Sequence, residues 1–214
     1  MSKKTLSALT LASVLALGGQ AVPALAAGTT WTVANPNTDG TFSAVSGQLT
    51  VKNSAGTTLF TCQSVNAIGT MPSRSITSTA TPALGQFTWA RANSCVGGNG
   101  ATWTGVMGGS SGPHYFNAAG FDAAAGKTTF DQTSPSLFTF SRTGSNPCLF
   151  LFKAKGMTYT NATSILKTTK AEVILGNQAD GTPSCQGLLT QGETITFATE
   201  YEFTPAITVT ATTS

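Results

Sequence analysis

Charge is what this sequence has least of. Lys, Arg, Asp and Glu make up 9% of its 214 residues, where an ordinary soluble domain carries roughly 25%, and there is one histidine, His114. Binding to nucleic acid needs clustered Lys and Arg against the phosphates. The densest basic groups here are Lys153 with Lys155 and Lys167 with Lys170, so nucleic acid is not expected as a partner. A single imidazole leaves no base for a Ser, Cys or Thr nucleophile elsewhere in the chain. No two cysteines stand at C-x-x-C spacing and His114 is distant from all four, so no metal site is expected. No segment of the later chain approaches 18 consecutive apolar residues, so no transmembrane anchor is expected, and no motif calls for a cofactor.

Hydroxyls take the place of charge. The chain holds 38 Thr and 20 Ser, 27% of all residues, with a further 23 Gly. Thr is β-branched and suits a pleated, half-buried surface, so the composition favours strands and turns over helices. The expectation is an all-β fold.

Residues 1–26 run from Lys3 and Lys4 through an apolar stretch, Leu6 to Leu17, to Ala24-Leu25-Ala26. This is the layout of a secretory signal peptide removed before Ala27. It leaves 27–214 as a single secreted, extracellular domain with nine basic residues, eight acidic ones and a net charge of +1. All four cysteines, Cys62, Cys95, Cys148 and Cys185, fall in that part. An even count outside the cytoplasm reads as two disulfides. Of the three connectivities, pairing in sequence order is favoured, closing loops of 34 and 38 residues that each remove roughly 3 to 4 kcal/mol of unfolded-state entropy.

Short alternating runs recur about every ten residues, among them Trp31–Val33, Phe42–Val45, Leu59–Cys62, Phe87–Trp89, Trp103–Val106, Leu149–Phe152 and Ile195–Phe203. Turn clusters such as Asn53-Ser54-Ala55-Gly56 separate them. Period-two patterning with such punctuation predicts an antiparallel meander closed as a sandwich or a barrel. At most a short helix is expected: Ser164–Leu175 reads better as strand than helix, and Ala118–Ala125 suits a single helical turn.

Five motifs bear on chemistry. Gly108-Gly109-Ser110-Ser111-Gly112 matches G-x-S-x-G, but Pro113 follows at once and the only His lies four residues from Ser110, which reads as a turn and not a nucleophile elbow. His114 reads as a partly exposed residue at the start of a strand, with a ring able to titrate between pH 5 and 8. Glu200 and Glu202 alternate with Tyr201 and Phe203, so both carboxylates share one face, as a glycosidase pair would, or a solvated strand face. Asn35 to Gly40 resembles the opening of a calcium loop, yet Ser46 stands where the bidentate Glu belongs, and a β-turn is favoured. Trp31, Trp89 and Trp103 each stand in a strand pattern, as core residues or as a binding face for sugar or lipid. Asn161-Ala162-Thr163 fits the glycosylation acceptor pattern.

Further residues carry a family likeness: Trp31-Thr32-Val33, Cys62, Cys95, Cys148, Gly156-Met157-Thr158-Tyr159-Thr160-Asn161-Ala162-Thr163, Leu166, Cys185-Gln186-Gly187-Leu188-Leu189, Gly192-Glu193 and Tyr201–Pro205 with Ala206-Ile207-Thr208-Val209. With these the chain resembles the small secreted β-rich proteins of actinobacteria such as streptomycetes. The resemblance implies an extracellular or cell-envelope setting and brings no catalytic residues. The family usually has Gly-Leu followed by an apolar residue, Gly and Asp where this chain has Gly187-Leu188-Leu189 and Gly192-Glu193, so Glu193 stands in place of Asp.

Together these readings lead to an expected function: a secreted, non-enzymatic β protein that binds an extracellular ligand or protein, or forms part of a surface. Two alternatives stand beside it, a lectin-like or lipid-binding barrel, and a glycoside hydrolase using Glu200 and Glu202.

Overall fold

The computed structural model describes residues 28–98, 100–107, 114–132, 136–142, 148–175, 185 and 188–213. Among them there is no helix, and fifteen strands form two sheets. The larger sheet closes on itself. Four of its strands run its full length: β4 (Thr58–Thr70), β6 (Ala83–Gly97), β13 (Ile165–Leu175) and β14 (Thr194–Thr204). The others are pairs that succeed one another along the same neighbours: β2 (Thr41–Ser46) with β3 (Leu49–Lys52), β7 (Thr102–Met107) with β8 (His114–Asp122), β9 (Lys127–Asp131) with β10 (Ser136–Arg142), and β11 (Cys148–Lys155) with β12 (Met157–Thr160), the first and last of them broken at a kink. Each pair acts as one stave. β14, for example, pairs its first half with β3 and its second with β2. Eight staves thus follow one another in chain order, each antiparallel to the last, and β14 returns to β2 and β3 to close an up-and-down barrel.

Side chains at the kinks satisfy the backbone groups that the broken ladder leaves over. Between β2 and β3 the Ser46 hydroxyl accepts from the Val65 amide at 2.8 Å. Beyond β9, the Gln132 side-chain carbonyl accepts from the Ala154 amide at 2.8 Å. Between β11 and β12, Gly156 takes φ of +58° and its amide donates to Asp131 Oδ1 at 2.8 Å.

The smaller sheet, ordered β15-β1-β5, consists of β1 (Thr29–Ala34), β5 (Arg74–Ser78) and β15 (Thr208–Thr213). Its strands lead into β2, out of β4 and out of β14, all at the same end of the barrel, and it closes that end. Trp31, Val33, Ile207 and Val209 belong to the same buried core as the barrel lining. Two side chains from the β12 hairpin tie the lid down. Tyr159 Oη donates to the Ile207 carbonyl at 2.6 Å, and Asn161 bonds both the carbonyl (2.8 Å) and the amide (3.0 Å) of Val209.

Alternation sends aromatic rings inward and Thr, Ser, Lys and Glu outward, the reverse of a membrane barrel, whose outer band is apolar. The rings form two groups. Near the lid, Phe42 stacks on Phe203 at 4.4 Å between centroids, and Phe87 meets Phe116 edge-on at 4.7 Å. In the other half, Phe60 stacks on Trp103 at 4.5 Å and Phe152 lies 4.2 Å from Phe197. Eight staves enclose a width that side chains fill. Gly69 is required for the fit near the lid, because a Cβ there would overlap the Phe42 ring and the Gln86 carbonyl.

The disulfides are Cys62–Cys95, across the directly opposed residues of β4 and β6, and Cys148–Cys185. The sequence-order pairing holds, and of the two closed forms expected the barrel is the one adopted. Residues 165–175 are strand, as favoured. The single helical turn at 118–125 is not formed: 118–122 continue β8, and 123–126 make a turn into β9.

Candidate functional site

The sequence pattern places Phe87 and Trp89 on one face of β6, and the structure separates them. Ile68 pairs with Trp89 while Gly69 pairs with Phe87, so Thr88 is an extra residue in the ladder. This β-bulge turns the strand over. Phe87 remains in the core, whereas Trp89 stands on the outer wall, 39% exposed. A second bulge follows at Asn93 and Ser94. Ala92 pairs with Gly105 and Cys95 with Trp103, so Asn93 and Ser94 together oppose Thr104, with Ser94 in the left-handed region at φ of 51°.

Between and beside these bulges the outer wall is hollowed into an open groove of about 620 Å³, lined by Trp89, Arg91, Asn93, Ser94, Thr104 and Val106 among others. Among the described residues no carboxylate lines it. Asn93 Nδ2 is held by Ser64 Oγ at 3.2 Å. Arg91 is exposed, and among the described residues no ion pair or hydrogen bond of its side chain occurs. Exposed Ile68 lies directly across from Trp89 and exposed Val106 directly across from Arg91, so an apolar strip runs beside the polar lining.

The three tryptophans do not share a face. Trp31 is buried in β1 under the lid and Trp103 is buried in the far half of the barrel, 4% and 3% exposed, with the Arg142 guanidinium 5.9 Å from the Trp103 ring centre. Only Trp89 presents its ring to solvent, and the bulge that puts it there has no signature in hydrophobic periodicity.

Glu200 and Glu202 lie on the outer wall while Tyr201 and Phe203 point into the core. They line a second open groove, of about 480 Å³, with Lys167, Thr169, Val45 and Ile165. Lys167 Nζ donates to Glu200 Oε1 at 2.7 Å, and both side chains are more than half exposed. A glycosidase acid is kept protonated by apolar surroundings, whereas Glu200 stands in water against an ammonium group.

His114 departs from expectation. It opens β8 on the inward face opposite Phe87 and is 4% exposed. Burial, which disfavours the charged ring, lowers its pKa to about 4. The ring is therefore neutral throughout the range from pH 5 to 8. Burial also raises the phenol pKa values of Tyr159 and Tyr201.

The segment Asn35–Gly40 is a turn. Asn35 Nδ2 donates to the carbonyls of Gly40 (3.0 Å) and Met71 (3.1 Å), and the Asp39 carboxylate accepts from the Thr41 amide and hydroxyl, which lowers the Asp39 pKa. No group of three or more His, Cys, Asp or Glu able to hold a metal occurs among the described residues. The glycosylation-type Asn161 spends its amide on Val209. Gly108–Gly112 lies outside the described residues, as does the signal peptide expected at 1–26. Comparison of the chain with models of protein families, with curated proteins and with solved structures finds no match.

Proposed function

We propose that this is a secreted, non-enzymatic barrel that recognises an extracellular ligand on its outer wall, through the surface around Trp89. The observation that supports this reading is the contrast between lumen and wall. The positions that would line a carrier's cavity hold Phe and Trp rings packed against one another, while the one outward Trp sits in an open groove between two bulges. Bulges re-aim side chains and are over-represented beside functional sites. The disulfides suit an oxidising compartment, and the likeness to secreted actinobacterial proteins suits the same setting.

The lipid-carrying alternative is disfavoured by the rings packed against one another in the lumen, and the hydrolase alternative by the solvated, Lys-paired Glu200. Two measurements test the proposal. Organic extraction of the purified protein is expected to release no stoichiometric lipid. Immobilised extracellular polysaccharides and proteins are expected to capture the wild type and to release the Ile68→Ser, Trp89→Ala double variant. A lipid recovered from the interior, or capture untouched by the double variant, overturns the reading.

A further inference from the structure

We propose that the Trp89 groove takes an acidic saccharide, a chain of pyranose rings bearing carboxylates. This rests on the outer-wall reading above and adds the ligand class to it. The groove combines three things that a sugar chain with carboxylates uses. The exposed Trp89 ring offers an apolar face for the C–H face of a pyranose, an amphipathic use that suits Trp. Arg91, two residues along the same outward face and so roughly 6.7 Å away along the strand, offers a planar fork of donors matched to a carboxylate. Its guanidinium has no carboxylate partner among the described residues, and none lines the groove. The rest of the lining mixes polar side chains, Ser94, Thr102, Thr104 and Asn93, with apolar ones such as Val96 and Val106; Asn93 and Thr104 are held by Ser64 and Ser141, and the Ser94 hydroxyl is placed to meet a sugar hydroxyl.

Charge complementarity selects the acidic class over neutral sugars. The carboxylates Glu200 and Glu202 belong to the other groove, where Lys167 pairs with Glu200. The absence of a carboxylate from the Trp89 groove leaves Arg91 available to an external anion. The open form of the groove fits the flank of a polymer and not an enclosed monosaccharide.

The test is affinity electrophoresis and calorimetry of the full secreted domain with polygalacturonate, alginate and hyaluronate, alongside methyl-esterified polygalacturonate and a neutral cello-oligosaccharide. At least one acidic polymer is expected to bind, with at least tenfold weaker binding of the ester or neutral sugar, and with affinity that falls as salt rises. Trp89→Ala and Arg91→Gln are each expected to weaken binding at least tenfold, while Tyr115→Ala, on the outer wall of β8, leaves it unchanged. Far-UV circular dichroism of each variant reports folding. Failure of all three acidic polymers to bind, equal affinity for ester and acid, or indifference to Trp89→Ala and Arg91→Gln overturns the assignment. Should Trp89-dependent capture of some other ligand persist in that case, the acidic-sugar assignment falls and the outer-wall reading stands.

Discussion

The two ends of this barrel solve the same problem in different ways. Eight antiparallel staves leave a lining of rings that must be kept from water at both mouths. At the lid end the second sheet does this without a covalent bond: Trp31, Val33, Ile207 and Val209 cover the Phe42–Phe203 group, and Tyr159 and Asn161 hold the lid through hydrogen bonds. At the other end no sheet is folded over among the described residues, and both disulfides lie in that half, beside the Phe60–Trp103 group. A lid adds buried apolar area to the native state. A disulfide instead removes entropy from the unfolded chain. The division has a chemical consequence, because each half carries its own weakness.

The largest effect expected comes from emptying either half. Trp31→Ala removes the ring under the lid and Trp103→Ala the ring stacked on Phe60, and each should cost roughly 3 to 5 kcal/mol. Urea unfolding monitored by circular dichroism and by fluorescence checks this. If the staves make one cooperative unit, both probes follow a single transition in each variant. Two separated transitions would break the barrel into independent halves.

Reduction should act on the disulfide half. Replacing Cys62 and Cys95, or Cys148 and Cys185, by Ser pairs is expected to lower stability by roughly 3 to 4 kcal/mol in each case, as loops of this length predict. Amide exchange sharpens the comparison. Protection of Phe60 and Phe150 should fall before that of Phe42 and Val209 if the disulfide half opens locally; equal loss at all four positions would mean that opening is global.

Much of this arrangement was legible beforehand. Strand-forming runs at ten-residue spacing and the even cysteine count led to a closed meander and to the observed disulfides, because inward and outward alternation is written directly in residue order. The choice of barrel over sandwich was not legible, since it depends on whether β14 pairs back to β2 and β3, and pairing between distant strands leaves no local pattern. The site was the least visible. Trp89 reads as a partner of Phe87 until Thr88 is seen as an extra residue, and a single inserted position reverses every side chain beyond it. Likewise His114 beside a Gly-rich loop reads as partly exposed, when the start of β8 turns it inward.

Acid should weaken the lid half, by the smallest of these effects. His114 lies opposite Phe87, whose ring belongs to the group beneath the lid, and its pKa in the folded protein is about 4 against about 6.5 in an unfolded chain. Above pH 6.5 the imidazole is neutral in both states and stability is undiminished. As pH falls from 6.5 towards 4 the unfolded chain takes up a proton that the folded protein refuses. Stability should therefore drain by up to about 3 kcal/mol and level off below pH 4 as far as this group is concerned. Carboxylates add their own acid dependence, so the measurement is a difference: urea midpoints of the wild type and of His114→Gln at pH 7.5 and pH 4.5. The variant should start lower and lose less. Parallel losses in the two proteins would show that the ring gains access to water on protonation, and that the lid seals its half less tightly than the disulfides hold theirs.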